Sequence, residues 1–283
     1  MYRKLMKIIS AAAVVALLLQ FSAAAAVNTD EVICLPIIMY HAVKPSGGGK
    51  NSITPQEFES DLKFYRDAGY TLVTMNDLIY HVSGARKLPE KPVILAFDDG
   101  YYNNYKYVYP LLREYDARIV MSVITKALDD FTESPSKSVE YAHMTWDQLC
   151  EMVSSGHAEV QNHSYNLHSY GKSRVGCGRN KGESVEDYDR VLSSDVMLSQ
   201  LRIYEMTGSV PNTFTYPYGR YSDLTVEILE RLGFTATLSC EYGINLVNIS
   251  GETELFNLKR ICREHNQSAE KVIADAMETL KYR

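Results

Sequence analysis

The feature that most constrains this chain is an alternation. Apolar runs of strand length take turns with amphipathic segments of helix length from residue 32 to residue 280. Residues 32–39 are almost continuously apolar, the pattern of a strand buried on both faces. Residues 70–74, 93–97, 117–124, 159–161, 213–216 and 234–238 predict further strands, and 256–261 a late one. Between them, helices are predicted over 75–82, 105–115, 146–154, 185–206 and 223–232, with a last one over 268–280. Thr54-Pro55-Gln56-Glu57 opens another, with an N-cap, Pro at the first helical position and Glu at the third; it closes near Gly69. Strand followed by helix, repeated about seven times, implies parallel strands joined by helical crossovers. A mature chain of this length suits a single irregular (β/α) barrel of about seven parallel strands, with a doubly wound open sheet as the alternative.

The first 26 residues do not fit that alternation. Arg3, Lys4 and Lys7 precede an apolar run over 8–21, and Ala23 to Ala26 supply small residues. That order predicts a secretory signal peptide cleaved between about Ala24 and Val27, leaving 27–283 as one exported domain, secreted or associated with the cell envelope. The run is short for a membrane span, and Cys34 follows Ile33 rather than the small residue a lipoprotein cysteine needs. Five cysteines at irregular spacing predict buried thiols or one or two optional bridges rather than a cysteine metal site. The formal charge of −6 offers no basic excess for nucleic acid. No protein partner is inferred.

Three clusters fall where predicted strands end, the edge at which α/β barrels assemble their sites. In Ala96-Phe97-Asp98-Asp99-Gly100, two adjacent carboxylates follow a buried strand. Neighbouring strand residues point to opposite sides, so one acid can bind a cation while the other handles protons. His163 and His168 lie five residues apart, about 140° around a helix, so a loop rather than one helix face must present both. Two imidazoles and one carboxylate make a set that suits catalytic zinc and also other divalent metals. Phe214-Thr215-Tyr216-Pro217-Tyr218-Gly219 is a stiff turn able to aim a backbone N–H into a cleft.

In this order the three clusters resemble the polysaccharide deacetylases of the NodB-homology type, carbohydrate esterase family 4, over residues 32–262. The resemblance implies Asp98 as catalytic base and a divalent ion, zinc first, held by Asp99, His163 and His168. It implies Tyr216, Pro217 and Tyr218 at the substrate, with the Tyr218 N–H in the oxyanion hole. The spacing of the two histidines is similar to that of the branch acting on poly-N-acetylglucosamine. Ile38-Met39-Tyr40-His41 resembles the opening strand of exported members and places His41 near the site. Where the family carries a motif arginine this chain has Thr215; Arg260 is expected to supply that charge to Asp98 from a late strand. The family's late tryptophan and histidine motifs are not recognisable, leaving His41 and His265 to be weighed as the general acid. The implied reaction is removal of N-acetyl groups from an N-acetylated polysaccharide such as peptidoglycan, an exopolysaccharide or a chitin-like chain. An O-acetyl esterase, or a non-catalytic carbohydrate binder on the same fold, are the competing readings.

Overall fold

A computed structural model describes residues 32–171, 174–248 and 253–282; the expected leader lies outside the described residues. Seven strands form the barrel: β1 (Ile37–Tyr40), β2 (Pro92–Asp99), β3 (Ile119–Val123), β4 (Ala158–Asn162), β5 (Thr213–Thr215), β6 (Ala236–Tyr242) and β7 (Leu258–Cys262). Each pairs in parallel with its successor in the chain, and β7 pairs with β1 through Ile261–Ile38 and Cys262–Met39, so the ring closes. The barrel is the expected architecture, and closure rules out the open-sheet alternative.

Eight α-helices are labelled here: α1 (Pro55–Asp67), α2 (Met75–Val82), α3 (Tyr109–Glu114), α4 (Thr125–Glu133), α5 (Trp146–Ser154), α6 (Val185–Thr207), α7 (Asp223–Arg231) and α8 (Ala269–Glu278). The capping box read from sequence opens α1: the Glu57 N–H donates to the Thr54 hydroxyl at 3.2 Å, and the Thr54 N–H to the Glu57 carboxylate at 2.7 Å. Together such bonds satisfy two donors that a helix start leaves free. The outward side chains of the strands, among them Ile38, Phe97 and Met121, pack with Phe58, Leu62 and Trp146 of the helices. The alternate set, including Ile37, Ile94, Ala96 and Leu238, fills the barrel interior as period-two alternation requires.

Three local expectations change. The apolar run at 32–39 is two strands, Ile33–Leu35 and Ile37–Tyr40, divided at Pro36. Pro36 has no N–H for a ladder, and the first piece pairs antiparallel with Asn245–Val247, helping to plug the barrel beneath β1. Helix α4 was not expected, because its charged segment follows directly on β3 with no turn residue between. The predicted 234–238 strand starts two residues later and runs on to Tyr242, across an irregularity where β6 advances four residues against two of β7.

Candidate active site

The strand ends converge on one cavity of about 530 Å³, lined among others by His41, Asp98, Asp99, His163, His168, Tyr218 and Cys240. Asp98 and Asp99 both face it, contrary to the opposite-sides expectation. The reason is backbone: Asp99 has φ 72°, a left-handed conformation that turns it back toward the side of Asp98. Six described non-glycine residues have positive φ, and three of them, Asp99, Ser164 and Tyr218, sit one in each of the three sequence clusters. Strained backbone of this kind persists only where the surroundings enforce it. Asp195 of α6 does so for the histidine loop, accepting the Tyr165 and Asn166 N–H groups at 2.8 Å each.

That loop brings His163 and His168 to one carboxylate. Their Nε2 atoms lie 3.5 and 3.3 Å from Asp99 Oδ1. One ligand atom from each of the three residues fits within a mutual distance of 4.8 Å. His163 Nδ1 donates to the Thr215 carbonyl at 2.7 Å, which leaves Nε2 as the lone-pair nitrogen turned to the cluster. Asp99 Oδ1 is buried and has no hydrogen-bond partner among the described residues. A buried carboxylate oxygen left facing two imidazole nitrogens is the environment a divalent cation completes. The donor set therefore fits a metal. Burial pushes the His168 imidazole down to about 4, keeping it in the neutral form that coordinates.

Asp98 has a different partner. Arg260 is buried to 1 % exposure and gives Nη1 to both Asp98 oxygens, at 2.8 and 2.9 Å. The strand irregularity aims this guanidinium, for the Ser239 carbonyl there accepts Arg260 Nε at 2.6 Å. Burial works against the Asp98 charge, but nearby positive charge, the Arg260 guanidinium foremost, outweighs it and holds the carboxyl below its usual range. Thr215 points elsewhere: its hydroxyl bonds Ser122 at 2.7 Å. His41 Nε2 is 3.8 Å from Asp98 Oδ2 and His41 Nδ1 has no partner among the described residues. His265 is engaged away from the cavity, with Nδ1 2.8 Å from Glu57.

The Tyr216–Gly219 turn divides its residues. Tyr218 is 43 % exposed, and its ring packs 4.4 Å from that of His168 and 5.7 Å from that of Tyr170. Tyr216 borders the cavity, yet its ring is fully buried, stacked on Tyr221 with its hydroxyl donating to Asn257 at 3.0 Å. Pro217 is buried too, and its carbonyl is 2.3 Å from where a Cβ on Gly176 would stand, so only glycine lets the backbone at 176 lie against the turn. Tyr216 and Pro217 brace the turn that presents Tyr218, with Tyr216 bordering the cavity itself. All five cysteines are free thiols, with Cys177 buried and Cys240 exposed.

The sequence reading missed part of the wall. Tyr101 lines the cavity and lies 4.8 Å, ring to ring, from His143. Lys44, Ser52 and Glu140 line it as well. The Asp-Gly-Tyr run could have flagged Tyr101; nothing local marks the others.

A family model described as polysaccharide deacetylase matches residues 85–237, just over half of the chain. It spans Asp98, Asp99, both histidines and the Tyr216–Gly219 turn, while His41 and Arg260 fall outside it. YxkH of Bacillus subtilis (strain 168), which carries a provisional polysaccharide deacetylase name, is 25% identical over 218 residues, 77% of this chain and 68% of that protein. The poly-β-1,6-N-acetyl-D-glucosamine N-deacetylase of Escherichia coli (strain K12) is 23% identical over 253 residues; the match covers 82% of this chain but only 37% of that protein. The structure of the Streptococcus pyogenes deacetylase PplD in complex with acetate superposes with a TM-score of 0.70 at 25% identity, over 87% of this chain and 99% of that one. With the matched stretch, the closed barrel and the cluster at its strand ends in agreement, the chain belongs to the polysaccharide deacetylase family.

Proposed function

We propose that this chain is an exported, metal-dependent N-deacetylase acting on a polysaccharide that contains N-acetylglucosamine. The observation that carries the reading is the division of labour between adjacent carboxylates. Asp99 faces two imidazoles within ligand distance of one another, and Asp98 is held apart from them by Arg260. A pure binding protein has no use for a free base beside a metal site. The activity named for the Escherichia coli relative supports the choice of an amide over an ester. Export rests on the basic, apolar and small-residue order of the first 26 residues.

A divalent ion, zinc by the ligand types, would be held by Asp99, His163 and His168. Bound there, it supplies Lewis acidity toward a carbonyl and lowers the pKa of water. The protein's own groups do the rest. Asp98, kept ionised and oriented by Arg260, accepts a proton from the attacking water as its oxygen adds to the acetyl carbon. The Tyr218 N–H donates to the oxygen on which negative charge develops. His41 is the acid that protonates the departing nitrogen as the C–N bond breaks, giving acetate and a free glucosaminyl amine.

The test is acetate release from a panel of N- and O-acetylated glycans, with and without a chelator. The proposal expects release from N-acetylglucosamine polymers that stops on chelation and returns with zinc. Release from O-acetylated glycans alone, or from none, overturns it.

A further inference from the structure

Away from the catalytic groups, the cavity wall is built by two segments distant in sequence. One follows β1 and contains Lys44 and Ser52; the other precedes α5 and contains Glu140. Their meeting is enforced. Asn103 is 1 % exposed, accepts the Val43 N–H at 3.0 Å and donates to the Val139 carbonyl at 3.0 Å. The residues next to those two anchors are Lys44 and Glu140, whose side chains meet at 2.5 Å. A surface ion pair contributes little to stability, so a buried strut is not needed merely to form one. What the strut does is hold an ammonium and a carboxylate at one place on the cavity wall.

Ser52 supplies an independent sign of a missing ligand. It lines the same cavity, is 9 % exposed, and its hydroxyl is buried with no hydrogen-bond partner among the described residues. Most buried polar side-chain atoms are bonded, so an orphan that lines a cavity indicates a group that arrives with a ligand. Lys44 has donors to spare beyond Glu140, Glu140 has acceptor capacity to spare beyond Lys44, and Ser52 can do either. Opposite charges that already neutralise one another suit an uncharged partner carrying hydroxyls that both donate and accept.

We infer that Lys44, Ser52 and Glu140 form a subsite for the hydroxyls of a neutral sugar ring of the glycan, and that Asn103 is its positioning residue. The inference rests on the polysaccharide reading above. The subsite lets the protein distinguish a glycan from a small acetylated molecule that reaches only the catalytic groups.

The experiment compares the metal-loaded parent with Lys44→Met, Glu140→Gln and Ser52→Ala. Kinetics are measured on a β-1,6-linked N-acetylglucosamine tetramer and on 4-nitrophenyl acetate. Binding of the tetramer is measured by calorimetry in the Asp98→Asn background. A hydrogen bond to a charged group corresponds to about tenfold in affinity. The ratio of kcat/KM for tetramer to that for the small ester should fall about tenfold in Lys44→Met and Glu140→Gln, carried by KM, and less in Ser52→Ala. The tetramer Kd should rise in parallel. An unchanged ratio and Kd, equal losses on both substrates, or no tetramer binding by the Asp98→Asn parent overturns the subsite. If the parent releases no acetate while tetramer binding still depends on Lys44 and Glu140, the deacetylase reading fails and the subsite stands.

Discussion

Two buried aspartate–arginine pairs, drawn from arginines three residues apart, show what surroundings do to the same chemistry. Asp61 of α1 accepts Arg263 Nε at 2.8 Å and Nη2 at 3.0 Å, and it also accepts the Tyr40 hydroxyl at 3.1 Å and the Ala269 N–H at 3.2 Å. Every lone pair faces a donor, and the pair pins α1 and the start of α8 to the barrel's outer face. Asp98 accepts from a single Arg260 nitrogen and otherwise opens on the cavity. The saturated pair is a structural clasp. The unsaturated one keeps acceptor capacity for a proton that has yet to come. A carboxylate's use is thus read from the bonds it has left unmade as much as from those it makes.

The comparison can be broken by substitution. Asp99→Ala or His163→Ala should abolish both metal binding and turnover, seen as loss of stoichiometric zinc by mass spectrometry and loss of acetate release. Retained zinc would remove the metal site from the account. Arg260→Met should lower kcat about a hundredfold, the scale of a misoriented general base. It should also move the acidic limb of the pH–rate profile to higher pH. The sign follows because Arg260 favours the Asp98 charge, so its loss raises that pKa and a higher pH is needed to ionise the base. An unshifted profile would make Arg260 merely structural.

Arg263→Met, on the clasp, should destabilise by about 3–5 kcal/mol, because a buried charge is left unpaired, while turnover per folded molecule persists. Denaturant unfolding beside active-site-normalised kinetics checks this; lost turnover in folded protein would erase the distinction. The smallest effect is expected at Glu57, which neighbours the clasp at 4.0 Å from Arg263 Nη1. Burial works against its charge, but hydrogen bonds from Thr54, His265 and Asn266 outweigh it and lower its pKa from the ordinary 4.5. Its contribution is therefore present above 4.5 and lost as pH falls through the lower folded value. Glu57→Gln should flatten the acid side of a Tm-against-pH curve, and an equal slope in both proteins would deny Glu57 that role.

What was legible in the sequence is what local spacing encodes. Alternating strand and helix patterns carry the barrel, and Asp98-Asp99, His163 to His168 and Tyr216 to Gly219 carry the strand-end clusters, because each is a single short segment. Arg260 was legible only as a substitute required by Thr215; its reach to Asp98 depends on an irregularity between β6 and β7 that no residue type announces. The direction of Asp99 was misread because a strand rule was applied to a residue that leaves the strand in a left-handed turn. That the Tyr216 ring is buried while Tyr218 is exposed was not legible, because sequence does not say which face of a turn holds a ring. Lys44, Asn103 and Glu140 were invisible for a plainer reason: their contacts join segments 36 to 96 residues apart.

The most direct measurement is acetate release by Asp98→Asn on protein whose zinc content is determined in the same sample. An amide is nearly isosteric with the carboxylate but does not take up water's proton. The account predicts about one zinc per chain, as in the parent, with turnover reduced about a thousandfold. Near-parent turnover in zinc-loaded Asp98→Asn would contradict it, since the open aspartate of the pair would then not be the base.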